Sequence, residues 1–439
     1  MLRAIGVARF EELLSDIPAQ LRMPTLALPA GLSELELLAK AKGLAQLNQS
    51  TEQVDSYLGA GMYDHHIPAV VDALASRGEF ATAYTPYQAE ASQGTLQAIY
   101  EYQTMICELT GMEVANASLY DGASSLAEAA LVALRTTGRQ RLLVSQAVHP
   151  EYRQVLRTYL DGNGVHLAEL PVPSGITEAS RVAEQVSPDV AAVIVQTPNF
   201  FGCLETLAEL AEAAHAKGAL VIVCVYPVAL GIIQPPGAAG ADIVVGEGQS
   251  LGNPMSYGGP TLGFFAARQE LVRKIPGRLA GRTIDAEQQC GYVLTLQARE
   301  QHIRREKASS NICTNEGLLA LRATIHLSAL GPQGLREVAL LNVQKSHYAY
   351  EQLLQVPHVA PVFTQPFFNE FVIRFSEGVS SDRLLRQLSA ERILGGVGLQ
   401  RWYPALAGAW LVCVTETKTK AQIDRFVETL TKAVQATHG

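Results

Sequence analysis

Three stretches carry side chains able to do chemistry. The first is Asn116 to Ser125, NASLYDGASS, which runs into an Ala-rich helical segment at 126–135. Gly122, Ala123 and Ser124 are small, so backbone N–H groups at a helix start there can approach an anion such as a phosphate. An ordinary small-residue helix start is the alternative. The second is Tyr84-Thr85-Pro86-Tyr87-Gln88, followed by Ser92-Gln93-Gly94. Pro86 and Gly94 interrupt regular backbone, and the tyrosines offer a flat face and a hydroxyl; the alternative is a structured loop with two half-buried rings. The third, residues 286–311, is polar and carries Arg299, Arg304, Arg305 and Lys307, then Ser309, Ser310 and Asn311 ahead of a helix at 316–327. Taken alone, such a charge cluster reads as a solvated face. His65 and His66 form a tempting metal pair, but adjacent side chains rarely face the same way and no third ligand is evident, so no metal site is expected.

The elements that must position these residues follow from the apolar pattern. Runs at 141–145, 167–172, 190–196, 219–225 and 242–245 read as short buried strands. Helices at 94–110 (closed by Gly111), 152–160 and 204–217 alternate with strands as a parallel sheet with crossovers requires. Buried strands feeding a Gly-rich loop at 246–263 place a ligand site beyond the strand ends. His149 follows one strand end, and Thr197-Pro198-Asn199 another, where a turn is an equal reading. Helical periodicity at 10–14 and 32–46, with Ser33 and Glu36 as a capping box, precedes any strand and makes an N-terminal arm. Beyond Leu330-Gly331-Pro332 the pattern becomes a helix at 335–354, strands at 371–375, 381–388 and 410–414, and a last helix at 420–436.

Several longer motifs resemble one family. GAGMYDHHIPAVV, TPYQAEASQGTLQAIYEYQTMICELTGM, NASLYDGASSLAEA and IRREKASSNICT, with ILGGVGLQRWYP and VTETKTKAQIDRFV near the C-terminus, are similar to glycine dehydrogenase (decarboxylating), the P-protein of the glycine cleavage system. They look most like the alpha, or N-terminal-half, subunit of its two-subunit form. The resemblance implies an α/β fold of the pyridoxal-phosphate-dependent transferases (aspartate aminotransferase, fold type I), with a mostly parallel seven-stranded sheet. It implies an arm at 1–60, a large domain at 61–329 and a small α+β C-terminal domain at 330–439. In that fold Gly122, Ala123 and Ser124 cradle the coenzyme phosphate and His149 stacks on the ring. An Asp pairs with the pyridine nitrogen and a Lys forms the Schiff base. Here Tyr226 stands at the Asp position and Ser250 at the Lys position.

A serine hydroxyl cannot form an imine, and a neutral phenol is a poor partner for a pyridinium. The resemblance therefore implies a chain with no catalytic residue of its own and no covalently bound coenzyme. Pyridoxal phosphate would sit in a homologous beta subunit, in an α2β2 assembly. This chain would contribute Tyr84, Tyr87, Gln88, Ser92, Gln93, Ser309, Ser310 and Asn311 to the partner's active site. Glycine would lose its carboxylate as CO2, and the aminomethyl group would pass to the lipoyl arm of H protein. Two alternatives stand beside this: a regulatory or binding subunit on the same scaffold, and a self-sufficient pyridoxal-phosphate decarboxylase or aminotransferase using Lys307 or another lysine.

Composition excludes other classes. The chain has 439 residues, 48% hydrophobic and 17% charged, with a net charge of −8, which argues against nucleic acid or an anionic membrane as partner. Its early acidic residues are unlike a secretory signal. The longest apolar run, broken by Pro227 and Gly231, is too short to span a bilayer. A cytoplasmic protein with free thiols is expected.

Overall fold

The computed structural model describes residues 1–22 and 27–438. Contacts divide the chain at Gln53/Val54. Among the described residues the first unit holds a single-turn helix at Leu2–Ile5, short 3-10 turns and the longer helix α1 (Glu34–Ala45). Its start is the anticipated capping box: the Ser33 hydroxyl accepts from the Glu36 N–H, and the Glu36 carboxylate accepts from the Ser33 N–H at 2.9 Å. None of the α1 residues is buried.

The second unit is built on a seven-stranded sheet. In chain order its strands are β1 (Val114–Ala115), β2 (Arg141–Ser145), β3 (His166–Leu170), β4 (Val190–Thr197), β5 (Leu220–Val225), β6 (Ile243–Glu247) and β7 (Gly263–Ala267). The spatial order is β1-β7-β6-β5-β4-β2-β3. The five strands β2 to β6 run parallel, and β7 pairs antiparallel with β6 and β1. Side-chain alternation sends Val193, Val195, Val221 and Val223 into one core. It sends Ala192, Ile194, Ile222 and Val245 into the other, beneath helix α2 (Gly122–Thr137) and the helix Pro150–Leu160. A sheet covered on both faces explains the nearly continuous apolar strands.

The long helix α3 (Gly317–Leu353) runs on to a second layer. The expected break at residues 330–332 lies inside it: Gly331 has φ 62° and ψ 179°, and Pro332 follows. Beyond it an antiparallel four-stranded sheet, Val359–Pro361, Glu370–Phe375, Ala409–Cys413 and Val397–Gly398, packs on the last helix, Lys420–His438. Residues 54–57 join this layer. Asp55 and Ser56 pair in parallel with Ile393 and Leu394, and the Tyr57 ring lies 4.3 Å from that of Phe426.

Three expectations need correction. Residues 381–388, read as a strand, form the helix Ser381–Ala390, capped by the Ser380 hydroxyl. Leu384 and Leu388 are buried four apart, a helical spacing that the short leucine run concealed. The polar segment at 286–311 contains half of a β-hairpin, Leu279–Ile284 with Cys290–Thr295. Helix α2 begins at Gly122 rather than at 126, because Asp121 supplies the cap and takes the Ser124 N–H at 2.6 Å. The strands β1 and β7 and the helix Ala179–Gln185 had no counterpart in the sequence reading.

Candidate functional site

The ends of β4, β5 and β6 converge on the place where the resemblance puts a coenzyme. Tyr226 follows β5 directly and is buried. Its ring lies 4.3 Å from that of Tyr63, which comes from the loop after Tyr57. The Tyr226 hydroxyl meets His65 Nε2, and His65 Nδ1 lies 2.7 Å from Glu416 Oε2. Burial raises the Glu416 carboxyl, but the hydrogen bond and charge of His65 and the His66 N–H outweigh it and bring it down to about 2. The carboxylate of Glu416 thus holds one ring nitrogen of His65 while the Tyr226 phenol holds the other. Asn342 Nδ2 adds a third hydrogen bond to Glu416 at 3.0 Å. Tyr63 donates to Glu370 Oε2 at 2.7 Å, and the other Glu370 oxygen accepts from the Ala60 N–H, also at 2.7 Å.

At the start of α2 the anion seat is filled from within the chain. The Gly122 N–H donates to Glu247 Oε2 at 3.1 Å. The other Glu247 oxygen accepts from Gln249 N at 2.9 Å and Leu262 N at 2.8 Å. Burial pushes the Glu247 carboxyl up to about 7, against the pull of these three N–H groups. Gly122 is required by crowding: a Cβ there would lie 2.3 Å from the Tyr152 hydroxyl. Ser124 is turned back on Asp121 by the cap, and Ala123 carries no polar side chain.

His149 is buried beside Tyr152 and Phe200, with ring centroids 4.9 Å away in both cases. Its Nε2 lies 2.8 Å from the Ala60 carbonyl, so the 59–63 loop covers the side chain expected to stack on a pyridine ring. Ser250 is buried and its hydroxyl has no partner among the described residues. What remains between Gly61, Tyr63, His149, Tyr226 and Glu247 is a cavity of about 30 Å³. A site for a ligand of coenzyme size takes about 300 Å³ or more. The residues present therefore do not fit pyridoxal phosphate.

The second group of expected residues lies elsewhere, on an open face. Tyr84 is 86% exposed and Tyr87 49% exposed. Arg278 donates to the Tyr87 hydroxyl at 3.1 Å, and the His302 ring sits 6.2 Å from that of Tyr87. Gln88 is exposed. Gln93 spends its amide on the hairpin, exchanging hydrogen bonds of 2.8 and 2.9 Å with Tyr292. Ser92 precedes the helix Gln93–Thr110 without capping it. Ser310 accepts from the Ile312 N–H at 3.0 Å, while Ser309 is half-buried and Asn311 exposed. Arg304, Arg305 and Lys307 are exposed. Thr197 ends β4 and Asn199 opens the turn that follows: buried Asn199 donates to Gly175 O and Glu205, each at 2.8 Å.

Sequence reasoning missed Tyr63, Glu247, Glu370, Glu416 and Arg278. Each is a polar residue in or beside an apolar run, and its partners come from distant parts of the chain. The histidine pair was noticed and set aside as a metal site, but its tie to Glu416 and Tyr226 was not foreseen; among the described residues no group of three or more His, Cys, Asp or Glu could hold a metal ion. Nor is any helix among them long and apolar enough to cross a membrane.

Comparison with known proteins gives a consistent picture. The family model described as glycine cleavage system P-protein matches residues 1–430. A Desulfitobacterium hafniense protein described as "Probable glycine dehydrogenase (decarboxylating) subunit 1" is 54% identical over 428 residues, 97% of this chain and 96% of its own length. A Geobacillus kaustophilus protein of the same description is 53% identical over 433 residues, 98% of this chain and 96% of its own length. A crystal structure of glycine decarboxylase (P-protein) of the glycine cleavage system, in inhibitor-bound form, superposes with a TM-score of 0.90 at 48% identity, covering 99% of this chain and 97% of the other. Burkholderia pseudomallei sphingosine-1-phosphate lyase, at 15% identity and a TM-score of 0.68 over 95% of this chain and 94% of its own, shares the fold.

Proposed function

The chain belongs to the glycine cleavage system P-protein family, and from that premise we propose that it is the alpha subunit of glycine dehydrogenase (decarboxylating) that carries no coenzyme. In this reading a homologous beta chain holds pyridoxal phosphate, which supplies the electron sink for loss of the glycine carboxylate. The two chains form an α2β2 enzyme in the cytoplasm, and the aminomethyl group passes to the lipoyl arm of H protein. The chain alone is inactive.

One observation carries this reading. Glu247 occupies the anion seat at Gly122, while Tyr63 and Tyr226 fill the ring position. Both halves of a coenzyme are replaced by the chain's own side chains, so the scaffold is preserved but its pocket is closed. The contribution to the reaction then comes from the open face around Tyr84 and Tyr87. Lys307, the candidate for a self-sufficient enzyme, lies exposed in the turn Arg305–Lys307 rather than at the strand ends.

The test is glycine–CO2 exchange by the beta chain with and without this subunit. Exchange that depends on the subunit supports the proposal; full exchange without it supports a regulatory or binding module. Borohydride reduction of the isolated chain with coenzyme, followed by mass mapping, addresses the third reading: a pyridoxyl-lysine on this polypeptide would revive it.

A further inference from the structure

Arg278 is a buried cation that no acidic side chain balances. It is 3% exposed, and among the described residues no carboxylate lies within ion-pair distance of it. Its guanidinium donates to Asn315 Oδ1 and to the Tyr87 hydroxyl, each at 3.1 Å, and its Nε–H has no partner. Burying an unpaired charge is costly, and such charges in proteins are paired or sit at a ligand.

The surroundings hold this cation in place. The Arg278 carbonyl accepts from Ala117 N at 2.9 Å. Buried Arg299 ties down the preceding turn through the carbonyls of Ile275 and Gly277, the latter at 2.6 Å. Arg299 thus spends its two terminal nitrogens on backbone carbonyls, whereas those of Arg278 hold only the neutral side chains of Asn315 and Tyr87.

Arg278 lines a cavity of about 240 Å³ that opens beside Tyr84. Thr85, Thr95, Thr314 and Asn315 add polar atoms to its wall, and no acidic residue lines it. Gly317, the first residue of α3, is also in the wall, and no side chain caps that helix start. The start of a long helix and a guanidinium without a carboxylate partner therefore border one space, both favouring negative charge, and the N-cap residue Glu316 is not in its wall.

We propose that this cavity is a seat for a small oxyanion, a carboxylate or a phosphate monoester, with Arg278 as its binding residue. The proposal rests on the reading of the chain as an alpha subunit, which brings two such anions to this face: the carboxylate of glycine and the phosphate of the coenzyme held by the partner. A planar guanidinium suits either, since both accept two parallel N–H bonds.

The test uses the assembled complex of this chain with its beta partner. Wild-type, R278Q and R278K subunits are assembled, their size is checked by sedimentation, and the KM for glycine and the dissociation constant of the coenzyme are measured separately. With the complex intact, R278Q should raise one of the two constants at least about tenfold: KM if the anion is a carboxylate, the coenzyme constant if it is a phosphate. R278K keeps the charge and loses the fork, so it should fall between wild type and R278Q. Should R278Q fail to assemble, R278K must still raise one constant at least about threefold, and inorganic phosphate or acetate must bind the wild-type complex more tightly than the R278K complex by calorimetry. An intact complex whose two constants stay within about twofold of wild type in every variant that assembles overturns the anion seat while leaving the subunit's role standing. A beta chain fully active alone overturns the role itself.

Discussion

The carboxylate of Glu247 accepts a hydrogen bond from the backbone N–H of Gly122 at 3.1 Å. A helix start that would attract a phosphate is thereby neutralised by a group from β6, the strand bearing the Gly-rich loop. Together with the Tyr63–Tyr226 pair, it leaves the strand ends closed rather than open to a ligand of coenzyme size.

Restoring the two missing residues should not restore the coenzyme site. The double substitution Ser250→Lys and Tyr226→Asp supplies an amine and a carboxylate, but Tyr63 still fills the ring space and Glu247 the anion seat. Coenzyme added to this variant should give no Schiff-base absorbance and no borohydride-trapped adduct at position 250. An adduct there would show that the pocket is closed only by the residues replaced.

The closed pocket makes stability depend on pH. Burial pushes Glu370 up to about 7, like Glu247, despite its hydrogen bonds from Ala60 and Tyr63. A carboxyl whose pKa is raised on folding holds its proton more tightly in the folded state. Its contribution is full below the ordinary range near ~4.5 and is lost as pH rises towards 7. The urea midpoint should therefore fall between pH 5 and pH 8. Glu370→Gln, neutral throughout, should flatten that fall by an amount on the order of 1–3 kcal/mol. Equal slopes in wild type and variant would contradict this.

Glu416 behaves in the opposite sense. Its pKa is depressed to about 2 in the folded chain, so its contribution is present above the unfolded value near ~4.5 and is lost as pH falls below it. Glu416→Ala strips His65, the His66 N–H and Asn342 of a common acceptor. Removing one member of a buried polar network costs about 3 kcal/mol or more. Denaturant unfolding at pH 7 should show that loss, with a shallower acid limb than wild type.

Tyr84 gives the complementary case. It is 86% exposed, and Tyr84→Ala should leave the stability of the isolated chain within about 0.5 kcal/mol. If Tyr84 meets the partner's active site, exchange by the assembled enzyme should fall roughly tenfold, the effect of losing about 1.4 kcal/mol. Unchanged exchange would remove Tyr84 from the proposed contact.

A backbone test is also available. Gly202 has φ 83°, and a Cβ there would lie 1.8 Å from the Glu370 carbonyl oxygen. Gly202→Ala should reduce soluble expression or the urea midpoint severely, since neither the backbone angle nor the facing strand can yield cheaply.

The local signals were legible in the sequence because they are local. Ser33 and Glu36 announce a capping box three residues apart, Gly111 closes a helix, and buried strands read as Val- and Ile-rich runs. The longer motifs carried the family, and the absent lysine at Ser250 pointed to a chain without a covalently bound coenzyme. How the site is closed was decided only by the tertiary structure. Glu247 and Gly122 are 125 residues apart, Tyr63 and Glu370 are 307 apart, and His65 and Glu416 are 351 apart. No spacing rule links residues at such distances; crossover topology and the return of the C-terminal strands bring them together. The same holds for Arg278, whose charge is visible in the sequence but whose lack of a counter-charge is a property of the folded chain alone.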